Sequence, residues 1–407
     1  KFKCEEQTKG EIMEAMMKRF LAFSIFCISI FILPGCSQLM SNRSEIDRIF
    51  NTRVIGLDKT AENKVLYTIT TKTAVSPAKG QQADAAPSEI LVSEGATVFD
   101  AARSMTAYAY KKPHYGHTEF IIFGEDTARA GILPYLDFIS RNQEFRYNAK
   151  IYIVKGLSAN TFINSVNQGN LFLADKLSTL EDNSYALSKA GKVTLSEALF
   201  VLGKENISTF LPVLEIAPTK SGKNSTEGKY DMILKGYAVF KEDKLQEFLD
   251  EEMSMGINWV KNRIQSGVIL VEAQDKKIVS MEIIQNKTSI KPYLDENGLR
   301  CTISIKFNTN IAEILSQKEI FNKESFDYLR EQQEKQVKKE VEKILDYALT
   351  MNMDIFGFVS NFSMKYPMMK NELRENWQEL FPKIKFNVEV DSNINRTYLI
   401  KDPANKK

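Results

Sequence analysis

Histidine is nearly absent from this chain: there are two in 407 residues, together with four cysteines and two tryptophans. So little imidazole and thiol leaves poor material for a metal centre, which usually draws three or four ligands from clusters of such residues. His114 and His117 lie close together in the sequence but bring no third ligand, so they are expected to serve as structural hydrogen-bonding groups and to bind no metal. Equally missing are a Gly-x-Ser-x-Gly elbow, a Gly-rich phosphate loop and a His-Glu-x-x-His helix. Carboxylates are spread along faces, and Glu119 and Glu144 read as solvated or capping groups. Nothing positive speaks for an enzyme and no cofactor is implied, so a binding or assembly role leads.

No charge of one sign dominates. Lysine and arginine number 54 against 52 aspartates and glutamates, and if residues 1–35 are removed, taking five basic and four acidic residues, 49 stand against 48. Nucleic acid is therefore not an expected partner, because binding it calls for a basic excess or stripe.

There is also no apolar run long enough to cross a bilayer as a helix, which takes about 20 residues. The longest apolar run, residues 20–33, has 14 residues. It follows Lys18 and Arg19 and ends in Leu33, Pro34, Gly35 and Cys36. Basic, apolar, small, cysteine is the order of a secretory signal peptide, and its ending resembles the bacterial lipobox, in which the cysteine receives a diacylglycerol before cleavage on its N-terminal side. Cys36 is thus the expected lipid attachment site, and two or more acyl chains hold a protein stably on a membrane where one would not. Residues 1–12 read as upstream sequence, with Met13, Met16 or Met17 as the start. Cys4 and Cys27 would leave with the removed segment, so Cys301 remains as a lone packed thiol.

The expected mature chain of 372 residues is too long for one growing core, so two or three domains are expected. Residues 41–48 read as a polar tether, and 54–58 and 65–72 as a strand hairpin. Residues 74–88 read as a flexible loop. Helices are expected at 97–110 (with Thr97 as cap), 133–140 and 159–167, and strands at 118–123 and 150–154. Beyond a surface loop at 218–228, residues 232–240 read as strand and 244–253 as helix. Two alternating segments, 278–292 and 299–308, are joined through Asp295, Glu296, Asn297 and Gly298 as a hairpin. Residues 323–349 carry one apolar face of a long helix, interrupted at Gln333, with a solvated outer face. Segments 386–390 and 398–400 read as closing strands. The expected fold is α+β: three mixed α/β domains at 49–202, 203–275 and 276–402 after a signal peptide (1–35) and tether (36–48), with a long C-terminal amphipathic helix and closing antiparallel strands.

Residues 354–358 (Asp354, Ile355, Phe356, Gly357, Phe358) and Trp377 are expected to form an architectural joint, Gly357 permitting the turn and Asp354 capping the following helix.

Several segments taken together resemble the Ger(x)C family, the C subunits of spore germinant receptors. They are residues 51–58 ending in Gly56, Leu57 and Asp58; 117–124, which begins with His117; 138–146 with Arg141; 234–245 with Gly236; and 354–358 followed by Trp377. The matches keep their order over the whole mature chain. The resemblance implies three mixed α/β domains and no catalytic activity. It also implies a peripheral, lipid-anchored subunit on the outer leaflet of the spore inner membrane, partnered by an A-type subunit and an integral B-type subunit. His117, Arg141, Gly236, Asp354, Phe356, Gly357 and Trp377 are its structural or interface candidates. The rival expectation is a solute-binding lipoprotein of an importer, and an exported hydrolase stands third.

Overall fold

The computed structural model describes residues 16–22, 24, 49–72, 88–167, 172–184, 186–204, 206–218, 230–316 and 320–397. The chain divides into two units, Lys1–Ile49 and Phe50–Lys407. In the first, residues 16–22 are helical; Cys36 and the tether lie outside the described residues, as do the loops expected at 74–87 and 219–228 and the strand at 398–400.

The second unit begins with the expected hairpin, β1 (Ile49–Lys59) and β2 (Val65–Lys72), and β3 (Ser88–Gly95) pairs with β2 beyond it. Next come α1 (Val98–Ser104), capped as expected by Thr97, which accepts from the Asp100 amide, then β4 (Lys112–His114) and β5 (Phe120–Phe123). Helices α2 (Glu125–Ala130) and α3 (Leu133–Arg141) precede β6 (Lys150–Val154). After it come α4 (Ala159–Val166), α5 (Leu173–Ser184) and α6 (Leu195–Val201), and then β7 (Thr209–Pro218). Strands β5, β6 and β7 run parallel beside β1, while β8 (Tyr230–Lys241) and β9 (Lys244–Phe248) close the far end antiparallel. The result is one nine-stranded sheet in the order β3-β2-β1-β5-β6-β7-β8-β9, with β4 against β1.

Its central strands are buried on both faces, which is why 120–123 reads Phe-Ile-Ile-Phe without alternation. Val54, Phe120, Ile122 and Leu214 meet α4 and α5 on one side, whereas Ile55, Leu57, Ile121 and Phe123 face the other core. That second core runs on without a break through α7 (Glu251–Val260) and the long α8 (Lys323–Thr350) to a four-stranded sheet. This sheet holds β10 (Gly267–Glu272), β11 (Ile278–Asp295), β12 (Gly298–Ile314) and β13 (Lys385–Thr397), in that order.

Three sequence expectations differ from the structure. The segment 203–275 is not a module of its own: it supplies β7 to β9 to the first sheet and β10 to the second, so both expected boundaries fall inside hydrogen-bonded sheets. Residues 244–253 are not one helix. Lys244–Phe248 folds back on β8, and Asp250, accepting from the Met253 amide, starts α7 afresh. The closing strand is parallel, not antiparallel, to its neighbour (Cys301 opposite Phe386, Ile305 opposite Val390), because the chain crosses back over the sheet through α8 before β13 begins. The long helix and the Asp295/Gly298 hairpin lie where the periodicity put them. Gln333 breaks the apolar stripe for a reason: fully buried, it accepts from Thr309 Oγ1 at 2.9 Å and donates to Ser392 Oγ at 2.8 Å, pinning α8 over the β12/β13 seam.

Candidate functional site: a buried joint and its cavity

Helix α8 ends at Thr350, and Asn352 turns the chain in the left-handed region (φ 49°). The chain then passes through Asp354, Ile355 and Phe356 into α9 (Phe358–Lys365). Gly357 stands at the start of α9 with φ 74°; a Cβ there would meet nothing within 4 Å, so the backbone angle alone calls for glycine. The first amides of a helix lack intrahelical partners. Here Asp354, fully buried, supplies them: Oδ1 accepts from Phe358 N at 2.8 Å and Oδ2 from Val359 N at 2.9 Å. Burial pushes the Asp354 carboxyl up to about 6, against the opposing pull of these amides and of Lys261. Lys261, at the end of α7, donates to the Phe356 carbonyl at 2.8 Å, and burial lowers its pKa despite nearby Asp354. Burial and then the Asp354 charge push the Cys301 thiol up to about 12, so it stays protonated and packed.

The aromatic residues form a chain of contacts. Phe358 lies 4.8 Å from Phe386 of β13 and 5.4 Å from Phe356, while Trp377 lies 5.9 Å from Phe362 and 5.8 Å from Phe381. Trp377 begins the short helix α11 (Trp377–Leu380), which follows α10 (Lys370–Glu375). Ile355, Phe356, Phe358 and Trp377 are all buried, which places them in the core and not in an exposed aromatic patch.

Hydrogen bonds tie this joint to the loop before β7. Ser208 N donates to the Asp354 carbonyl at 3.0 Å, Asn206 Nδ2 to the Arg374 carbonyl at 2.6 Å, and Gln378 Nε2 to Asn206 Oδ1 at 3.2 Å. Between them and the β8–β9 turn lies a cavity of about 770 Å3, lined by the start of α3, by Gly203, Lys204, Asn206, Ile207 and Ser208, by Lys241, Glu242 and Asp243, and by Asn352, Asp354, Trp377, Gln378 and Phe381 of the joint.

The other candidates are dispersed. His114 Nδ1 lies 3.3 Å from Glu144 Oε2, which also accepts from Tyr115 N, and the two histidine rings are 6.2 Å apart. Among the described residues no group of three or more His, Cys, Asp or Glu could hold a metal ion. Glu119 accepts from Arg53 Nε at 2.8 Å. Arg141 forms an exposed pair with Asp137 one turn earlier, a geometry of small energetic weight. Gly236 has φ 67°, and a Cβ on it would press within 2.6 Å of Ser254 Oγ, the acceptor of the Tyr237 amide.

Sequence reasoning missed two parts of this arrangement. Lys261 gave no signal, since only the tertiary fold brings it to a segment more than 90 residues away. Asp58 was visible as the end of a motif, but its role was not. Its Oδ1 accepts from Ala159 N at 2.7 Å and its Oδ2 from Asn160 N at 2.8 Å, locking β1 to the start of α4. The Ser158/Thr161 capping pair marks that helix start and was there to be read.

Comparison with known proteins gives a consistent result. Residues 42–216 match the family described as spore germination protein N-terminal domain, and residues 235–398 match that described as spore germination B3/GerAC like, C-terminal. The chain is 24% identical over 295 residues to the putative spore germination protein YfkR of Bacillus subtilis (strain 168), covering 72% of this chain and 75% of the relative. It is 25% identical over 291 residues to spore germination protein YndF of the same organism, covering 68% and 67%. The crystal structure of the GerBC protein superimposes with a TM-score of 0.51 at 18% identity, over 84% of this chain and 96% of that one, so the two share a fold.

Proposed function

The chain belongs to the Ger(x)C family of spore germination proteins, and from that premise we propose that it is the lipid-anchored C subunit of a nutrient germinant receptor, on the outer face of the spore inner membrane. The observation that carries this reading is the ordered family match over 42–216 and 235–398, which begins just past Cys36 and takes in nearly all of the body. The anchor rests on the Leu33-Pro34-Gly35-Cys36 ending. Among the described residues no helix is long and apolar enough to cross a membrane, so acyl chains on Cys36 would supply the attachment. Its partners would be the A-type and B-type subunits, and its work assembly or signal transmission. The buried carboxylates support that non-catalytic role: Asp58 and Asp354 each turn both oxygens onto the opening amides of a helix.

Metabolic labelling with a palmitate analogue, followed by co-purification with the A and B subunits from spores, tests the proposal. Cys36→Ala is expected to lose the label and to weaken nutrient-triggered germination. Unchanged labelling would remove the anchor, and a labelled chain that brings down neither partner would remove the receptor role.

A further inference from the structure

Four strands end the two sheet orders, and three of them are guarded. Strand β3 has its Val92 carbonyl held by the Tyr108 hydroxyl. Strand β9 is five residues long, exposes Lys244 and Glu247, and gives its Gln246 carbonyl to Arg129 Nη1 at 3.3 Å. Strand β13 carries exposed Lys385, Glu389 and Asp391. Strand β10 has none of these devices. It pairs with β11 in an unbroken register, holds neither lysine nor proline, and keeps its one charge, Glu272, at its last position. Its outward side chains before that are Val268, 50% exposed, and Leu270, 59% exposed. Just ahead of the strand Ser188 Oγ donates to the Ser266 carbonyl. From Val268 to Glu272, among the described residues, no backbone group has a hydrogen-bond partner other than β11. Proteins seldom leave such an edge bare, because it templates pairing with another extended chain.

We propose that β10 pairs antiparallel with β10 of a second copy of this chain, about a two-fold axis at Ile269, joining the two four-stranded sheets into one. The strand is complementary to itself in that register. Ile269 faces its own counterpart, Val268 faces Leu270 of the second copy on the outer side, and Gly267 faces Val271 on the inner side. The two-fold makes each of these last two pairs twice, so four exposed apolar side chains close over one another. Glu272 falls opposite Ser266, and no carboxylate opposes another. Moving the axis to Leu270 would set Glu272 against Val268, and moving it to Val268 would set Leu270 against Ser266. The register is thus fixed by the side chains themselves. Such matching of a strand with itself is what a two-fold partner requires and a foreign strand does not.

The test uses the full chain carrying Cys4→Ser, Cys27→Ser and Cys36→Ser, purified in a nonionic detergent, so that its result is independent of acylation. Light scattering is expected to give the protein mass of a dimer. Leu270→Lys, at an exposed position, should weaken dimerisation at least about tenfold. Cross-linking reads the register and does not depend on that variant. On mild oxidation, a chain with Val268→Cys should form a disulfide with a chain carrying Leu270→Cys, since directly opposed residues bring their Cβ atoms to about 4.5 to 5.5 Å. Paired with a chain carrying Glu272→Cys it should not. A monomeric parent chain would overturn the proposal and leave the edge to a foreign strand. A dimer untouched by Leu270→Lys, or cross-linking of position 268 to 272 in place of 270, would overturn it equally.

Discussion

Asp58, near the end of β1, and Asp354, just past α8, each turn both carboxylate oxygens onto the opening amides of a helix: Ala159 and Asn160 in one case, Phe358 and Val359 in the other. Burial raises the pKa of both, yet their surroundings differ. Around Asp58 the fit is tight and the neighbouring charge is Asp126, which adds to the rise; a Cβ on Gly124 would come within 2.2 Å of Asp58 Oδ1 and 2.8 Å of Ser158 Cα. Around Asp354 there is a cation, Lys261, and the adjoining Gly357 has open space beside it. One lock is closed by shape and the other by charge and aromatic packing, so the two should fail under different perturbations.

The largest effect is expected from the aromatic packing that supports the Asp354 side. Truncating buried Trp377 to Ala should lower the unfolding free energy by about 3 to 5 kcal/mol, read by denaturant melts of the purified chain. A loss under about 1 kcal/mol would mean that the joint is held mainly by its polar contacts.

The charge at Asp354 comes next. Its folded pKa of about 6 stands above the ordinary 3.8, so the native state holds the proton more tightly than the unfolded state. The stability this gives is complete below pH 3.8 and is lost as pH rises through about 6. At ~1.4 kcal/mol per pKa unit the change is on the order of 3 kcal/mol. Measured across that window, wild type should lose this much relative to Asp354→Asn, which cannot titrate. A constant difference between the two proteins would show that Lys261 keeps Asp354 ionised throughout.

The paired glycines give the finest discrimination. Gly124→Ala forces a steric clash and should cost roughly 1 to 3 kcal/mol, whereas Gly357→Ala meets only the left-handed backbone penalty of about 1 to 2 kcal/mol. Thermal melts should therefore place Gly124→Ala lower. The reverse order would mean that the Asp58 cradle relaxes more readily than its contacts suggest.

Legibility followed the range of the interactions. Elements with their own period or cap could be read directly: the β1/β2 hairpin, α1 with Thr97, the strand at 150–154, the turn at Asp295/Gly298 and the long helix. The segment 244–253 misled because the alternation of a five-residue strand and the first turn of a helix together mimic one helical face. The domain boundaries misled because polar loops mark where a chain leaves a sheet, not whether it returns to the same one. The joint was read from its residues, since a run of large apolar side chains after a long helix has to be buried. Its cation and its cavity depend on α7, α3 and the loop before β7, and no local pattern could show that these meet.

The parallel pairing of β13 with β12 bears on how the protein is made. β12 has its first antiparallel partner one tight turn away, whereas its second arrives only after α8 and the short helices that follow have been synthesised. Until then one edge of β12 presents free amides and carbonyls to any extended chain nearby. Long-range parallel pairing is slow, so this open edge is where strand exchange between two half-made copies would begin.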